Sequence, residues 1–240
     1  MNDDAYRDLV PFYGLLDPRE DHAEEAAVWG EALAARVETS APTLLELGAG
    51  AGNNAWYLGA RFRCTLVDIS DAMLEISRRQ NPECRHVVAD MRTVTLNQTF
   101  SVVFAHDALS HMVDRQDVAA VVATAHRHLD VGGTLLLAPD CFDDGFDDMV
   151  EYIERDEETA ALRGVAWSRR TGPNRAETDY ALLYRKGSEV CPVHVRHPEA
   201  LHARATWCEL VEAAGFEVIL MPREQPPGYA AHTLMCRKIR

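Results

Sequence analysis

Glycine occupies every second position from 48 to 52 in the stretch LLELGAGAGNN, residues 44–54, directly after a short apolar run. The following residues, 51–59, are predicted to open a helix. Glycines at a strand-to-helix turn let a ligand approach the backbone, and the first turn of the helix offers N–H groups without partners. The stretch therefore predicts a ligand-binding loop. Glu46, two residues ahead of it, can help to organise the loop and to bind a cationic group of the ligand.

Three classes of ligand use such a loop. A phosphate-binding P-loop needs Gly-Lys-Ser/Thr at the start of the helix, where this chain has Asn53-Asn54-Ala55. A dinucleotide fingerprint needs glycine five positions after the first, and Asn53 stands there, which weakens that assignment but leaves it open. The third ligand is S-adenosylmethionine, whose amino and carboxylate groups need mixed donors and acceptors. If S-adenosylmethionine is the ligand, the loop and Glu46 bind the same molecule.

Two further acids follow predicted strands. Asp68 ends the apolar segment Cys64–Asp68 and comes 20 residues after Gly48, where a carboxylate accepts ribose hydroxyls. Asp90-Met91 follows the next strand and offers an acid for the adenine amine and a thioether to pack on its ring. Ligands of open α/β sheets bind along the edge formed by the carboxyl ends of the strands. The order of these residues predicts one cofactor site along that edge.

The chain alternates between strand and helix as far as residue 140, which predicts an α/β fold with a doubly wound, mostly parallel sheet. Beyond that point the pattern changes. Residues 139–163 are predicted to be loop plus helix, and residues 164–197 two or three antiparallel strands with a turn at Lys186-Gly187-Ser188. A helix over 204–214 and two final strands, 216–221 and 229–237, complete the prediction. We interpret 1–240 as one domain, 1–40 as a helical lid and 139–200 as an inserted antiparallel β cap over the acceptor site.

Composition limits the possible partners. The 240 residues are 47% apolar and carry a formal net charge of −14, which argues against a nucleic-acid-binding surface. No segment approaches the roughly 20 apolar residues of a membrane span, and no signal-peptide pattern is visible. The six cysteines lack paired or metal-ligand spacing, so free thiols, no metal and a cytoplasmic location are predicted. The expected partner is a small-molecule acceptor, and the chain is expected to be a monomer or a homodimer.

The same residues resemble the seven-stranded, Rossmann-like (class I) S-adenosylmethionine-dependent methyltransferases. The matching segments are ELGAGAG (46–52), LVDIS (66–70), ADM (89–91), FSVVFAHDAL (100–109) and LDVGGTLLLAPD (129–140). The resemblance implies S-adenosyl-L-methionine as cofactor, methyl transfer, and the strand order 3-2-1-4-5-7-6 with the last strand antiparallel. With it, the predicted cofactor-binding residues are Tyr13, Glu46, Gly48, Ala49, Gly50, Asn53, Asp68, Ile69, Met73, Asp90, Met91 and His106.

A narrower resemblance is to the amino-sugar N-methyltransferases of antibiotic pathways. It rests on Tyr6, Pro11-Phe12-Tyr13, Asp90-Met91-Arg92 and VHVRHPEALHARATWCELVEAAGFEV. It implies an antiparallel insertion after strand five, with Tyr13 over the methyl-transfer site and His111 near the acceptor amine. The chain departs from this family in the glycine loop, in the tail, and after strand five, where Asp140-Cys141 replaces an aromatic pair.

The segment His106-Asp107-Ala108-Leu109-Ser110-His111 follows strand four at the edge where an acceptor would lie. Its histidines and acid can orient an acceptor or take its proton, or else pack against the cofactor and cap a loop. His111, Tyr13 and His106 are the predicted catalytic residues. Methyl transfer to nitrogen is favoured. The alternatives are O- or carboxyl-methylation of a small natural-product acid, and a non-catalytic protein that binds S-adenosylmethionine as a sensor.

Overall fold

A seven-stranded sheet forms the centre of the chain in this computed structural model, which describes residues 9–240. The strands of the described chain are β1 Thr43–Leu47, β2 Arg63–Asp68, β3 Arg85–Val88, β4 Phe100–Ala105, β5 Leu129–Leu137, β6 Met149–Asp156, β7 Ala160–Gly172, β8 Arg175–Lys186, β9 Glu189–Ala200, β10 Phe216–Pro222 and β11 His232–Lys238. The central sheet has the order β3-β2-β1-β4-β5-β11-β10, and β11 runs antiparallel to both neighbours. This order confirms the predicted class I methyltransferase fold, with β10 and β11 as its sixth and seventh strands.

Helices cover both faces of the central sheet. They are α1 Tyr13–Leu16, α2 Ala23–Ala34, α3 Asn53–Leu58, α4 Asp71–Gln80, α5 Arg115–His128 and α6 Arg204–Ala213. On one face, α5 and α6 pack Val121 and Trp207 onto the sheet; on the other, α2 and α3 pack Trp29 and Leu58 onto it. Burial on both sides explains why the central strands are almost wholly apolar.

Local sequence signals place the elements that carry the site. Ser70 caps α4 by accepting a hydrogen bond from the Met73 amide at 3.4 Å. The turn that starts at Gly187 joins β8 to β9, and Gly187 adopts a positive φ of 59° there. The strand predicted to begin at Tyr229 begins three residues later, at His232.

A second sheet of four antiparallel strands, β6-β7-β8-β9, follows β5. It confirms the predicted antiparallel insertion but corrects the interpretation of residues 139–163, where a helix was expected. Residues 149–156 form β6 instead, paired with β7 from Met149↔Ser168 to Asp156↔Ala161. The dense acidic residues there suggest a solvated helix face, but pairing with a neighbouring strand outweighs such local preferences.

All six cysteines are free thiols, as predicted. Among the described residues, no helix is both long enough and apolar enough to cross a membrane.

Candidate active site

The glycine loop between β1 and α3 is held in a conformation that side chains rarely adopt. Gly48, Gly50 and Gly52 all have positive φ, at 76°, 52° and 76°. A Cβ atom on Gly48 would lie 2.2 Å from the Cβ of Ala108. The amides of Gly48 and Ala49 both donate to the carbonyl of Val67, at 2.8 and 2.9 Å. The loop is thus fixed by its own backbone and lies directly against the segment that follows β4.

Glu46 is buried beneath this loop, with 3% of its surface exposed. Its Oε2 atom has no hydrogen-bond partner. Burial is the main cause that raises the pKa of Glu46 to about 8. A buried carboxyl oxygen without a partner is costly unless a ligand satisfies it. Because Glu46 lines a pocket of about 60 Å³ with the glycine loop, the structure provides an acceptor there for a cationic ligand group.

Asp68 ties the end of β2 to the glycine loop. One of its carboxylate oxygens accepts from the Gly50 amide and the other from the Ser70 amide, each at 2.8 Å. The residue lines both the glycine-loop pocket and a smaller pocket of about 20 Å³. Asp68 therefore lies between the two small pockets, where the predicted ribose contact would be made.

The smaller pocket collects the residues predicted to bind adenosine. It is lined by Gly48, Asp68, Ile69, Ala89, Asp90, Met91 and Ala108. Arg92 holds the Asp90 carboxylate through hydrogen bonds of 2.6–3.0 Å from its guanidinium, and these bonds are the first cause of a lowered Asp90 pKa. Asp90 is thus an ionised group whose position is set by Arg92, and its contact with adenine stays a prediction.

The N-terminal segment closes one side of the glycine-loop pocket through Asp17. The Asp17 carboxylate accepts hydrogen bonds from the Tyr13 hydroxyl at 2.8 Å and the Asn53 amide at 3.1 Å, and it lies 2.7 Å from the His22 ring. Burial opposes protonation of His22, but the bond to Asp17 raises its pKa to about 9. Asn53, which stands where a dinucleotide site would have glycine, therefore anchors this segment. Tyr6 lies outside the described residues.

A cavity of about 720 Å³ adjoins the glycine-loop pocket. Its walls come from α1, the segment after β4, the segment after β5, and the inner face of β6–β9. Tyr13, Asp17 and Asp107 line both spaces, so the two meet at these side chains. Within residues 9–240, six carboxyl side chains line the cavity: Asp17, Asp21, Asp107, Asp140, Glu151 and Glu199.

His111 and His106 occupy different positions. His111 lines the large cavity with its ring centroid 6.1 Å from that of His197, and burial, followed by the neighbouring His197, lowers its pKa to about 4. His106 lines the glycine-loop pocket but not the large cavity. The predicted site residues in the described chain are thus brought to one edge of the sheet, with His111 on the acceptor side and His106 on the cofactor side.

Several polar residues at this edge were not predicted. Asp17 and His22 lie in the N-terminal segment, and Glu25 and Arg223 form an ion pair at 2.5 Å beside His106. No local motif marks these residues, since they meet across up to 198 positions of sequence. Asp140 had a usable signal: it is an acid within three residues of the end of a strand of the parallel sheet, like Asp68 and Asp90.

The ligand atoms of His22, His106 and Asp107 lie within 4.8 Å of one another, close enough in principle for a metal ion. The guanidinium of Arg223 stands 3.0 Å from His106 Nε2 and so already lies in front of the ring nitrogen that would bind the metal. A metal-free site stays our prediction.

Comparison with known proteins identifies the central region. Residues 44–133 match the family model described as a methyltransferase domain. The chain is 27% identical over 147 residues to dTDP-3-amino-3,4,6-trideoxy-alpha-D-glucopyranose N,N-dimethyltransferase of Streptomyces venezuelae, covering 59% of this chain and 62% of that protein. It is 36% identical over 95 residues, 38% of each protein, to trans-aconitate 2-methyltransferase of Enterobacter sp. (strain 638). The chain therefore spans less than two thirds of the length of these relatives.

Solved structures share the whole fold. An amino pentose methyltransferase from Micromonospora echinaspora, solved with S-adenosylmethionine bound, superposes with a TM-score of 0.79 at 24% identity, covering 90% of this chain and 91% of that one. The sugar N-methyltransferase KedS8 from Streptoalloteichus gives a TM-score of 0.84 at 21% identity, covering 95% and 91%. At this identity the likeness shows the fold. Residues 44–133 therefore match a methyltransferase domain, within a chain that has the class I methyltransferase fold.

Proposed function

We propose that this chain transfers a methyl group from S-adenosylmethionine to a nitrogen atom of a small, amino-sugar-like acceptor. The observation that carries the proposal is that the glycine-loop pocket and the large cavity meet. A glycine-loop pocket with a buried acid opens at Tyr13, Asp17 and Asp107 onto a cavity of about 720 Å³ with acidic walls. The methyltransferase family match supports the reaction class.

The pocket fits this cofactor on structural grounds. The unpartnered Oε2 of Glu46 supplies an acceptor for the ammonium group of the methionine part. Gly50 leaves room at the turn, since a Cβ there would be no closer than 3.7 Å to Met73. Met73, Ile69 and Met91 offer apolar contacts, and His106, Ala49 and Asn53 complete the walls. When bound, the cofactor supplies an electrophilic methyl group on a sulfonium.

The chain's own contribution is alignment. A direct displacement needs the nucleophile, the methyl carbon and the leaving sulfur in line, and holding them so can account for most of the acceleration. Tyr13 lies at the junction, and its hydroxyl is held by Asp17. An aromatic ring there suits a sulfonium, because its face attracts cations. His111 lines the acceptor side, where its neutral ring can contact the acceptor without repelling an ammonium group.

Charge favours nitrogen over a carboxylate acceptor. Among the described residues that line the cavity, Arg155 is the one with a guanidinium or ammonium group, and it is paired with Asp21 at 3.0 Å. Carboxyl walls attract an ammonium ion and repel a polycarboxylate such as trans-aconitate. For this reason we rank methylation of a small acid second, although the Enterobacter relative carries that name.

The domain organisation belongs to the same proposal. The described residues act as one domain, those up to residue 40 close over the cofactor, and residues 139–200 cap the acceptor. Lining residues of the cavity from α1 and from β6–β9 support these roles. The net charge of −14 supports a small-molecule partner over a nucleic acid. The free thiols fit a reducing cytoplasm.

Two measurements test the proposal. S-adenosylhomocysteine at about 100 times its dissociation constant should add about 2.7 kcal/mol, which raises the melting midpoint of a chain of this size by roughly 5–10 °C. Labelled S-adenosylmethionine should then methylate a free amino sugar, and not trans-aconitate. The absence of a melting shift would refute the cofactor assignment. A shift without turnover of any amine would favour the sensor.

A further inference from the structure

We infer that Asp107 and Asp140 form the acid–base pair of the acceptor site: Asp107 binds the acceptor's ammonium group as its counter-ion, and Asp140 takes the proton from it. The inference rests on the proposed transfer to nitrogen. It goes beyond that proposal because it assigns the step in which the amine becomes a nucleophile.

The two carboxyl groups come from adjacent strands of the central sheet. Asp107 follows β4 and Asp140 follows β5, and these strands are parallel neighbours. Their oxygens converge on one nitrogen: Asp107 Oδ1 lies 2.8 Å and Asp140 Oδ1 3.9 Å from His106 Nε2. Asp107 lines both the cofactor pocket and the cavity, and Asp140 lines the cavity. The pair therefore lies beside the point where an acceptor nitrogen must meet the methyl group.

A network of hydrogen-bonded side chains around buried His106 holds the pair in position. His106 is 7% exposed, and its Nδ1 atom lies 3.3 Å from the Asn54 amide nitrogen. The Arg223 guanidinium lies 3.0 Å from His106 Nε2 and is held in turn by Glu25. Arg223 also donates to the carbonyl of Pro139 at 3.2 Å, directly before Asp140. Such fixed surroundings keep acid–base groups in position.

The surroundings also give the two carboxyl groups different pKa values. Burial raises the pKa of Asp140 well above its ordinary value, and the negative charge of Asp107 raises it further. The side chain of Asp107 is 55% exposed, so the surrounding protein opposes its ionisation only weakly, and the adjacent His106 lowers its pKa. Paired carboxyl groups divided in this way are typical of acid–base sites. Asp107 stays charged and can bind an ammonium ion, whereas Asp140 has the stronger proton affinity that a base needs.

The titratable and charged groups that face Asp140 come from every element packed around it. They are Asp107 and His106 after β4, Cys141 after β5, Glu151 of β6, Tyr180 of β8, Glu199 of β9, and Arg223 and Tyr229 of the segment between β10 and β11. Arg223 is the cation among them, and it lowers the Asp140 pKa, while Glu199 raises it. A bound ammonium ion adds a second cation, which favours the ionised form of Asp140.

The step balances without another reagent. An N–H bond of the ammonium breaks, its electron pair stays on nitrogen, and the proton forms an O–H bond with ionised Asp140. With S-adenosylmethionine bound, the nitrogen pair would form the N–CH₃ bond as the S–CH₃ bond breaks, which would leave neutral S-adenosylhomocysteine and a methylated ammonium ion. Release of the proton from Asp140 to solvent restores the site.

The test compares Asp140→Asn and Asp107→Asn with Asp147→Asn, an exposed acid of the same segment that does not line the cavity. Turnover of an amino sugar is measured from pH 6 to pH 9 with labelled S-adenosylmethionine. Asp140→Asn should lower kcat at pH 7 by about 100-fold. The deficit should shrink as the pH approaches the amine's own pKa, because solvent then supplies the free base. Asp107→Asn should mainly raise KM for the cationic acceptor, and Asp147→Asn should match the wild type.

A second readout does not depend on turnover. Carbon-13 NMR of labelled aspartate should show one carboxyl that titrates far above the normal range, lost in Asp140→Asn and shifted down in Asp107→Asn. The melting shift with S-adenosylhomocysteine confirms that each variant is folded. If the wild type methylates amines but Asp140→Asn keeps its rate at pH 7, or if the deficit does not depend on pH, the pair is wrong and the proposed function stands. If the wild type methylates no amine, both fall.

Discussion

The glycine-loop pocket and the acid-walled cavity share Tyr13, Asp17 and Asp107, but they are built in different ways. The pocket is formed largely by backbone: three glycines with positive φ, amide bonds to Val67, and a buried carboxyl. The cavity is formed by side chains from the N-terminal segment and four antiparallel strands, many of them charged and partly exposed. Backbone geometry tolerates few substitutions, whereas side chains on a strand face exchange readily. The chain thus combines a cofactor half fixed by backbone geometry with an acceptor half whose properties are set by side chains.

The largest effect should come from a side chain added within the glycine loop. Gly48→Ala places a Cβ 2.2 Å from Ala108 in a left-handed conformation, which should cost about 2–4 kcal/mol in strain and overpacking. The melting midpoint should fall by about 5–15 °C, and the shift with S-adenosylhomocysteine should disappear. Gly132→Ala is the control, because Gly132 has a similar φ of 82° with nothing within 4 Å of its Cβ. Equal losses in both variants would show that the contact with Ala108 is unimportant.

Asp68→Asn should weaken S-adenosylhomocysteine binding by about 10- to 100-fold, because charge-assisted hydrogen bonds are worth roughly 1.5–3 kcal/mol. The variant loses charge at a carboxylate that also accepts from the Gly50 and Ser70 amides. Calorimetric titration measures the affinity. Asp71→Asn, which alters an exposed ion pair with Arg78, is the matched control and should bind normally. Unchanged affinity in Asp68→Asn would end the assignment of the ribose contact.

The acceptor half should respond separately. His111→Ala should lower kcat/KM for the amine by about 10-fold, which corresponds to the loss of one transition-state contact worth roughly 1.4 kcal/mol. The affinity for S-adenosylhomocysteine should stay unchanged. The ring is neutral above pH 5.5 because burial lowers its pKa to about 4, so the variant and the wild type should show parallel rate profiles from pH 6 to 9. A ratio that changes with pH in this range would instead indicate that His111 transfers a proton.

A further effect concerns Glu46 and the pH dependence of stability. Its pKa is raised by burial from 4.5 to about 8 in the folded chain, so the folded state binds the proton more tightly than the unfolded state. Below pH 4.5 Glu46 is protonated in both the folded and the unfolded state, so its burial costs no ionisation free energy. The free energy of unfolding then falls as the pH rises from 4.5 to about 8. Glu46→Gln should flatten this part of the stability curve, measured by urea unfolding at several pH values. A curve that keeps the wild-type slope would contradict the burial argument.

The same residue links stability to the cofactor. An ammonium group bound beside Glu46 favours its ionised form, so binding of S-adenosylhomocysteine near pH 7 should release a proton. Calorimetry in buffers of different ionisation enthalpy measures that release, and Glu46→Gln should abolish it.

Much of the cofactor half could be predicted from the sequence. Each of its residues is tied to a local signal: glycines after β1, and acids at the ends of β2 and β3. These signals are readable because parallel strands bring their carboxyl ends to one edge. The helix expected within residues 139–163 was wrong because no local signal marks β6. The acidic sequence of β6 resembles a solvated helix, and its strand conformation comes from pairing with β7.

The sequence by itself determined the fold class, the strand order by family resemblance, and part of the set of residues that meet around the glycine loop, among them Glu46 and Asp68. Tertiary structure decided which groups share the cavity. Asp17 meets Asn53 across 36 positions, and Arg223 meets Glu25 across 198. The convergence of Asp107 and Asp140 on His106, and the pKa values that follow from it, depend on burial and distance. Those quantities exist only after the chain has folded, because long-range contacts leave no periodic pattern in the sequence.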